Sequence, residues 1–282
     1  TTEIYTLSLH DALPIFIGGF LRKFHCYNEN MQNFVKFLGT AGARIVVARQ
    51  LRSSAGIWLR MDGANIYIDP GPGALAKCFS SRPKLDPMFL DAILLSHNHL
   101  DHAGDVNAMI EAMTLGGHKK KGTVFAPRSA FEGDPIILKY VRKYLDSTVV
   151  LSEKGRYKIK GLSFETPVGH LHGTDTFGFK FKGKNSTISY ISDTRYFNGL
   201  PKHYEADILI ISVLKDKPSN LDHLCVDDVE KILAHIRPKT AILTHFGKFM
   251  LDAGPERIAS ALSKKFRTRV IAARDGMSLK FF

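Results

Sequence analysis

Three histidines and one aspartate fall within six residues of this chain, the pattern that points most directly to chemistry. His97, His99, Asp101 and His102 come directly after the apolar run 92–95, which predicts a buried strand. Side chains on a turn after such a strand point towards the sheet edge, where ligands converge. Unpaired imidazoles packed so closely would repel one another when protonated. The cluster therefore predicts a metal site rather than four unrelated polar residues.

The elements that position this cluster are predicted from the spacing of apolar residues. Short β-rich runs predict strands over 34–38, 45–49, 57–60, 65–68, 92–95, 123–126, 149–151, 157–159, 162–166, 177–181, 187–191, 208–212, 241–244 and 269–272. Apolar residues at helical spacing predict helices over 103–113, 226–236 and 255–266. Two β-rich halves that each carry helices predict an α/β fold, with two sheets packed face to face and helices outside. No linker or low-complexity segment divides the chain, so one domain is expected.

Composition excludes several classes of protein. The chain has 282 residues, of which 44% are hydrophobic and 23% are charged, as in ordinary globular proteins. Cys26, Cys78 and Cys225 are far apart, which excludes a disulfide framework and a thiolate zinc finger. No apolar run approaches the roughly 18 residues of a membrane-spanning helix. The net charge of +12 favours an anionic partner or substrate.

The first 30 residues are expected to be a non-native leader. Residues 1–15, TTEIYTLSLHDALPI, read codon for codon as a translated short-read sequencing adapter. Residues 16–30 show no clear apolar period, and Met31 is the expected native start. The predicted domain therefore covers residues 31–282.

The run from His97 to His102 resembles the His-x-His-x-Asp-His signature of the metallo-β-lactamase superfamily. The resemblance covers residues 31–282, because further motifs recur in the order of that family. It implies a four-layer αβ/βα sandwich with two divalent metal ions at its edge. Imidazole and carboxylate ligands without thiolate suit zinc, with manganese or iron as alternatives.

The resemblance also implies roles for three residues at predicted strand ends. Asp69 corresponds to an aspartate that braces the ligand loops, and Asp193 corresponds to the carboxylate that bridges both metals. His245 corresponds to the last metal ligand. Each of them alone would more often be a polar cap at a strand end, and only the ordered set favours the metal role.

The third motif offers two histidines. Its spacing from Pro167 favours His170 as the ligand, whereas its spacing to Gly178 favours His172. We predict His170 and keep His172 as the alternative.

The resemblance implies that each metal ion has three ligands of its own and that the two ions share one carboxylate. One metal takes His97, His99 and His170, the other takes Asp101, His102 and His245, and Asp193 bridges the two. A hydroxide bridging such ions is the implied nucleophile, and Asp101 is counted as catalytic as well as a ligand.

His223 indicates which branch of the superfamily the chain resembles. It lies about twenty residues before His245 and resembles the histidine that assists the leaving group in ribonuclease Z-like enzymes. An aspartate at the bridging position argues against true β-lactamases, many of which have cysteine or another residue there. Only fourteen residues separate Gly178 from Asp193, which leaves no room for the tRNA-binding arm of ribonuclease Z. We therefore predict a compact hydrolase of phosphodiester bonds, with His223 as a catalytic residue.

Other activities remain open at this point. A thioester hydrolase of the glyoxalase II type would use the same ligands, and a persulfide dioxygenase would use part of them around one iron. A non-catalytic binding protein is disfavoured by the intact ligand set. The expected partner is a small anionic or nucleic-acid-like substrate, in the cytoplasm and without a membrane. A homodimer is compatible with the sequence.

Overall fold

Fourteen strands form two seven-stranded sheets in the computed structural model, which describes residues 32–282. The strands are β1 (Asn33–Phe37), β2 (Ile57–Met61), β3 (Ala64–Ile68), β4 (Ala92–Leu94), β5 (Thr123–Ala126), β6 (Ser147–Val150), β7 (Gly155–Ile159), β8 (Leu162–Thr166), β9 (Phe179–Lys182), β10 (Thr187–Ile191), β11 (Ile208–Ser212), β12 (Thr240–Thr244), β13 (Arg269–Ala272) and β14 (Ser278–Phe281). The first sheet has the order β14-β1-β2-β3-β4-β5-β6, and the second has the order β13-β12-β11-β10-β9-β8-β7. The predicted leader lies outside the described residues.

Helices cover the outer faces of both sheets. The described helices are α1 (Ala43–Ala48), α2 (Ala74–Ser80), α3 (Leu100–Ala103), α4 (Val106–Thr114), α5 (Leu200–His203), α6 (Val226–Ile236), α7 (Lys248–Ala253) and α8 (Pro255–Phe266). Short 3-10 turns lie over Pro87–Phe89, Arg128–Ala130 and Val141–Tyr144. Within residues 32–282, no helix combines the length and apolar character needed to cross a bilayer.

Three apolar clusters make up the described core. One lies between the sheets, where Phe125 of β5 packs edge-on against Phe164 of β8 with ring centroids 5.1 Å apart. A second joins the outer face of the first sheet to α4, which buries Met109. The third joins the outer face of the second sheet to α6, which buries Leu233. The layers are therefore helix, sheet, sheet and helix, and the predicted four-layer α/β sandwich is confirmed.

The parallel strands bring the predicted site residues to one edge. β3 and β4 pair in parallel in the first sheet, as do β10, β11 and β12 in the second. Asp69 follows β3, residues 96–102 follow β4, Asp193 follows β10 and His245 follows β12. Loops after the carboxyl ends of parallel strands meet at one side of a sheet, so these residues are gathered there.

Two predictions about individual elements are wrong. Residues 45–48 form part of helix α1 rather than a strand, and Arg49 caps its end, although Ile45, Val46 and Val47 favour a strand. Both edges of β1, the strand before this run, are paired, with β2 and with β14. The closing strand of the chain is β14, not β13, and it returns to the first sheet.

Candidate metal centre

Asp69 braces the loop that carries the histidine cluster. Its carboxylate accepts hydrogen bonds from the Ser96 N–H and the Ser96 hydroxyl, both at 2.7 Å. Tyr190 Oη donates to the same carboxylate at 3.2 Å, and His102 Nδ1 donates to it at 3.0 Å. The bond to Asp69 fixes the His102 tautomer and directs Nε2 away from it, as carboxylates do for metal-binding histidines.

The first group of ligand atoms consists of three imidazoles. His97 Nε2 and His99 Nδ1 are 3.1 Å apart, and His172 Nε2 lies 3.2 Å from the same His99 nitrogen. Burial lowers the pKa of His97 well below its ordinary value. Its imidazole is therefore neutral at pH 7, which is the form that binds a metal.

The second group combines a carboxylate with two imidazoles. His102 Nε2 lies 2.9 Å from His245 Nε2, and Asp101 Oδ2 lies 3.4 Å from that His245 nitrogen. Asp101 Oδ2 and His102 Nε2 are 3.7 Å apart. These three atoms form one compact set of ligand atoms.

Asp193 lies between the two groups. Its Oδ2 is 3.4 Å from His102 Nε2 and 4.0 Å from His97 Nε2, whereas Oδ1 is 3.3 Å from His245 Nδ1. Burial raises the pKa of Asp193, but His245 and His102 outweigh burial and hold that pKa well below its ordinary value. Asp193 is therefore an ionised carboxylate that faces both groups.

His170 lies outside this set, and His172 occupies the place expected for it. His170 Nε2 is 2.8 Å from Tyr204 Oη, and Nδ1 is 3.2 Å from the Asp193 carbonyl oxygen. Both ring nitrogens of His170 are thus engaged away from the cluster. His172 Nδ1 donates to the Asp222 carbonyl at 3.0 Å, which leaves Nε2 facing His99. Within the described residues, this geometry favours His172, the alternative named in the sequence analysis, over His170 as the candidate ligand.

His223 reaches the rim of the cluster from the loop between β11 and α6. Its Nδ1 lies 3.4 Å from Asp193 Oδ2, and its ring is 4.9 Å from that of His172. Burial lowers the pKa of His223 to about 4. The side chain is still 14% exposed, so a molecule bound at the rim can reach it.

The donor set fits a divalent metal ion. Asp193 Oδ1 and His245 Nδ1 are buried, and neither makes a hydrogen bond within the described part of the chain. Such orphaned buried atoms are rare and call for an explanation. A cation among them would also be bound by facing imidazole nitrogens, each pair of which otherwise needs one ring to carry its N–H proton on that nitrogen. Nitrogen and carboxylate donors without thiolate suit zinc, manganese or iron.

Two glycines permit the close approach of the ligand loops. A Cβ on Gly71 would lie 1.9 Å from the Asp101 carbonyl oxygen, and a Cβ on Gly42 would lie 2.2 Å from that of His245. Any larger residue at either position would push a ligand-bearing backbone aside. No sequence motif connects these glycines or Tyr204 with the metal centre, because only tertiary contacts bring them there.

Comparison with known proteins supports the fold described above. A family model described as the beta-lactamase superfamily domain matches residues 64–246. An uncharacterized protein of Methanocaldococcus jannaschii is 27% identical over 254 residues, covering 86% of this chain and 93% of that protein. The ribonuclease Z of Thermococcus gammatolerans is 27% identical over 167 residues, or 56% of this chain, and the match spans only 49% of that enzyme. Among solved structures, the metallo-beta-lactamase fold protein YhfI of Bacillus subtilis has a TM-score of 0.71 at 17% identity, covering 89% of this chain and 100% of that chain.

The predicted fold class and the prediction of a hydrolase are both confirmed by these findings. The family model covers the strand before Asp69, the whole histidine cluster, Asp193 and His245. This chain belongs to the beta-lactamase superfamily.

Proposed function

We propose that this protein is a dinuclear metal-dependent phosphodiesterase that acts on a nucleotide or RNA-like substrate. The proposed ligands form two groups with Asp193 between them, namely His97, His99 and His172 on one side and Asp101, His102 and His245 on the other. Divalent ions held there would supply an ionised water near neutral pH and would polarise a phosphate oxygen.

The observation that carries this proposal is the position of His223. Its Nδ1 faces Asp193 at 3.4 Å, so the imidazole stands at the rim beside the two groups of three named above. With His172 and Asp193 it also forms a further compact set of potential ligand atoms, so the metal content of a His223 variant must be measured beside its rate. When the ring is protonated, the other nitrogen, Nε2, would donate a proton to the oxygen that leaves phosphorus. Burial opposes that charged form, whereas the facing Asp193 carboxylate raises the pKa of His223 and favours it. An alkoxide leaving group needs this help, whereas a thiolate or a nitrophenolate needs much less of it.

Two further observations support a phosphodiester substrate. The net charge of +12 favours an anion, and the relative from Thermococcus gammatolerans is a ribonuclease Z.

A substrate panel tests the proposal. The purified protein is assayed with bis-p-nitrophenyl phosphate, cyclic nucleotides, a short RNA and S-lactoylglutathione, each in zinc and in manganese. We expect phosphodiester cleavage, two metal ions per chain and no oxygen uptake. Hydrolysis of the thioester alone would favour the glyoxalase II-type alternative, and one iron with oxygen uptake would favour the dioxygenase alternative.

The role of His223 has its own test. His223→Ala should retain its metals and lose roughly 10²–10⁴-fold in rate on an alkyl phosphodiester, because general acid catalysis contributes about that much. The loss on the nitrophenyl ester should be smaller. His118→Ala is the matched control, since His118 is a histidine outside the ligand groups. An equal loss on both esters would contradict the role in leaving-group departure.

A further inference from the structure

A buried lysine lies beneath the loop that presents His223. Lys215 follows β11 by three residues and is only 6% exposed. Its Nζ donates to Ser219 Oγ at 2.9 Å, to the Leu221 carbonyl at 3.1 Å and to the Ser219 carbonyl at 3.4 Å. Burial lowers the pKa of this ammonium because it disfavours the charged form. The three hydrogen bonds offset that unfavourable free energy of burial.

The Leu221 carbonyl connects the lysine to His223 directly. The same oxygen accepts the backbone N–H of His223 at 2.8 Å. Lys215 Nζ and His223 N therefore converge on one acceptor. The next residue, Asp222, accepts a hydrogen bond from His172, so this turn also orients a proposed metal ligand.

The ends of the loop are held by the main chain, but its middle is not. Lys215 and Cys225 form an isolated parallel bridge, and Cys225 caps α6 together with Asp228. Residues 217–221 between these points are exposed. An exposed segment with few buried contacts opens easily, and the ammonium beneath it supplies three hydrogen bonds against opening.

We propose that Lys215 is a positioning residue that holds His223, through the Leu221 carbonyl, at the rim of the metal cluster. The inference rests on the proposed role of His223 in leaving-group departure. The restraint of the loop by Lys215 does not depend on that role of His223.

The chain provides a matched control for removing this lysine. Lys36 in β1 is 3% exposed, and its Nζ donates to two carbonyls, of Arg82 and Gly276, and to the Ser278 hydroxyl. Lys215→Met and Lys36→Met therefore delete the same kind of buried ammonium with the same kind of acceptors. Only the first deletion lies beneath the His223 loop.

Leaving-group dependence is the catalytic measurement. Lys215→Met should lose at least about tenfold more rate on an alkyl phosphodiester than on the nitrophenyl ester, a fraction of the full general-acid effect, with metal content unchanged. Lys36→Met should change both rates equally. In a His223→Ala background, Lys215→Met should cause no further loss on the alkyl ester, because coupled residues are not additive. Equal losses on both esters, or additive losses in the double variant, would overturn the proposal.

Hydrogen exchange supplies a measurement that does not depend on activity. Lys215→Met should raise amide exchange over residues 216–224 and leave β11 unchanged, whereas Lys36→Met should leave both unchanged. Unchanged exchange over 216–224 would overturn the positioning role whatever the rates are. If Lys215→Met raises exchange but His223→Ala slows the alkyl and nitrophenyl esters equally, the proposed role of His223 is rejected and the positioning of the loop by Lys215 is not.

A milder variant covers the case in which Lys215→Met does not fold. Ser219→Ala removes the shortest of the three contacts from an exposed residue. It should shift the ester ratio and the exchange in the same direction by smaller amounts. No shift in either quantity would count against the proposal.

Discussion

Gly71→Ala tests whether close packing of the loops sets the geometry of the ligand cluster. The added methyl carbon would lie 1.9 Å from the Asp101 carbonyl oxygen and 2.3 Å from that of Ser54, where ordinary contacts begin at 3.4 Å. The Gly71 backbone and that of Asp101 must therefore move apart by about 1.5 Å, since both obstacles are main-chain atoms and cannot rotate away. Asp101 lies next to His102, so two proposed ligands would move together.

The size of the effect follows from that displacement. Overpacking of this kind costs about 1–3 kcal/mol of unfolding free energy. A misplacement of about 1 Å near a catalytic centre can cost roughly 10²-fold in rate. We expect Gly71→Ala to show both losses, measured by urea unfolding and by kcat per bound metal ion.

Gly161→Ala is the matched control for this variant. A Cβ on Gly161 would meet no heavy atom within 4 Å, so stability should stay within about 0.5 kcal/mol and kcat should be unchanged. Full activity and wild-type stability in Gly71→Ala would refute the argument that loop packing sets the ligand geometry. A stability loss with unchanged kcat per metal would show that the displacement does not reach the ligands.

Three more outcomes are expected. Asp193→Asn should lower metal occupancy and activity together, because a shared negative ligand is lost; elemental analysis finding two tightly held metals in a fully active variant would contradict the bridging role. His172→Ala should lose metal, whereas His170→Ala should keep it and lose about 1–3 kcal/mol of stability by leaving buried polar partners unpaired; the reverse pattern in metal analysis would restore His170 as the ligand. The Lys239 hydrogen bond lowers the pKa of Asp207 to about 2, so its stabilisation is present above the unfolded pKa of about 4 and is lost as the pH falls towards 2. In Asp207→Asn, urea midpoints at pH 7 and pH 3 should differ less than in the wild type, and an unchanged difference would exclude this contribution.

Several elements could be predicted from local signals alone. The helices over 226–236 and 255–266 have the predicted bounds, because their apolar residues recur at helical spacing. Pro238 follows the end of the first helix, and Pro255 begins the second. The strands over 187–191 and 208–212 also have the predicted bounds. The prediction of a strand over residues 45–49 is wrong, because the β-branched run favours a strand locally whereas the folded chain places residues 43–48 in helix α1.

The sequence by itself determined which side chains could bind a metal and the order in which they occur. His97, His99, Asp101 and His102 are confined to one short turn, so they come together whenever the preceding strand is buried. Ligand chemistry depends on residue type, which can be read directly from the chain.

Only the tertiary structure gives a reason to prefer His172 to His170 as the proposed ligand. The two histidines are two residues apart in the same loop. His170 contacts Tyr204, which lies 34 residues further along the chain, whereas His172 does not. The Tyr204 side chain is fully buried, and its hydroxyl requires a partner there, which His170 provides. That contact turns His170 away from the cluster and leaves His172 to face it. Spacing along the chain cannot encode such a choice, because it depends on a residue that reaches the loop only in the folded protein.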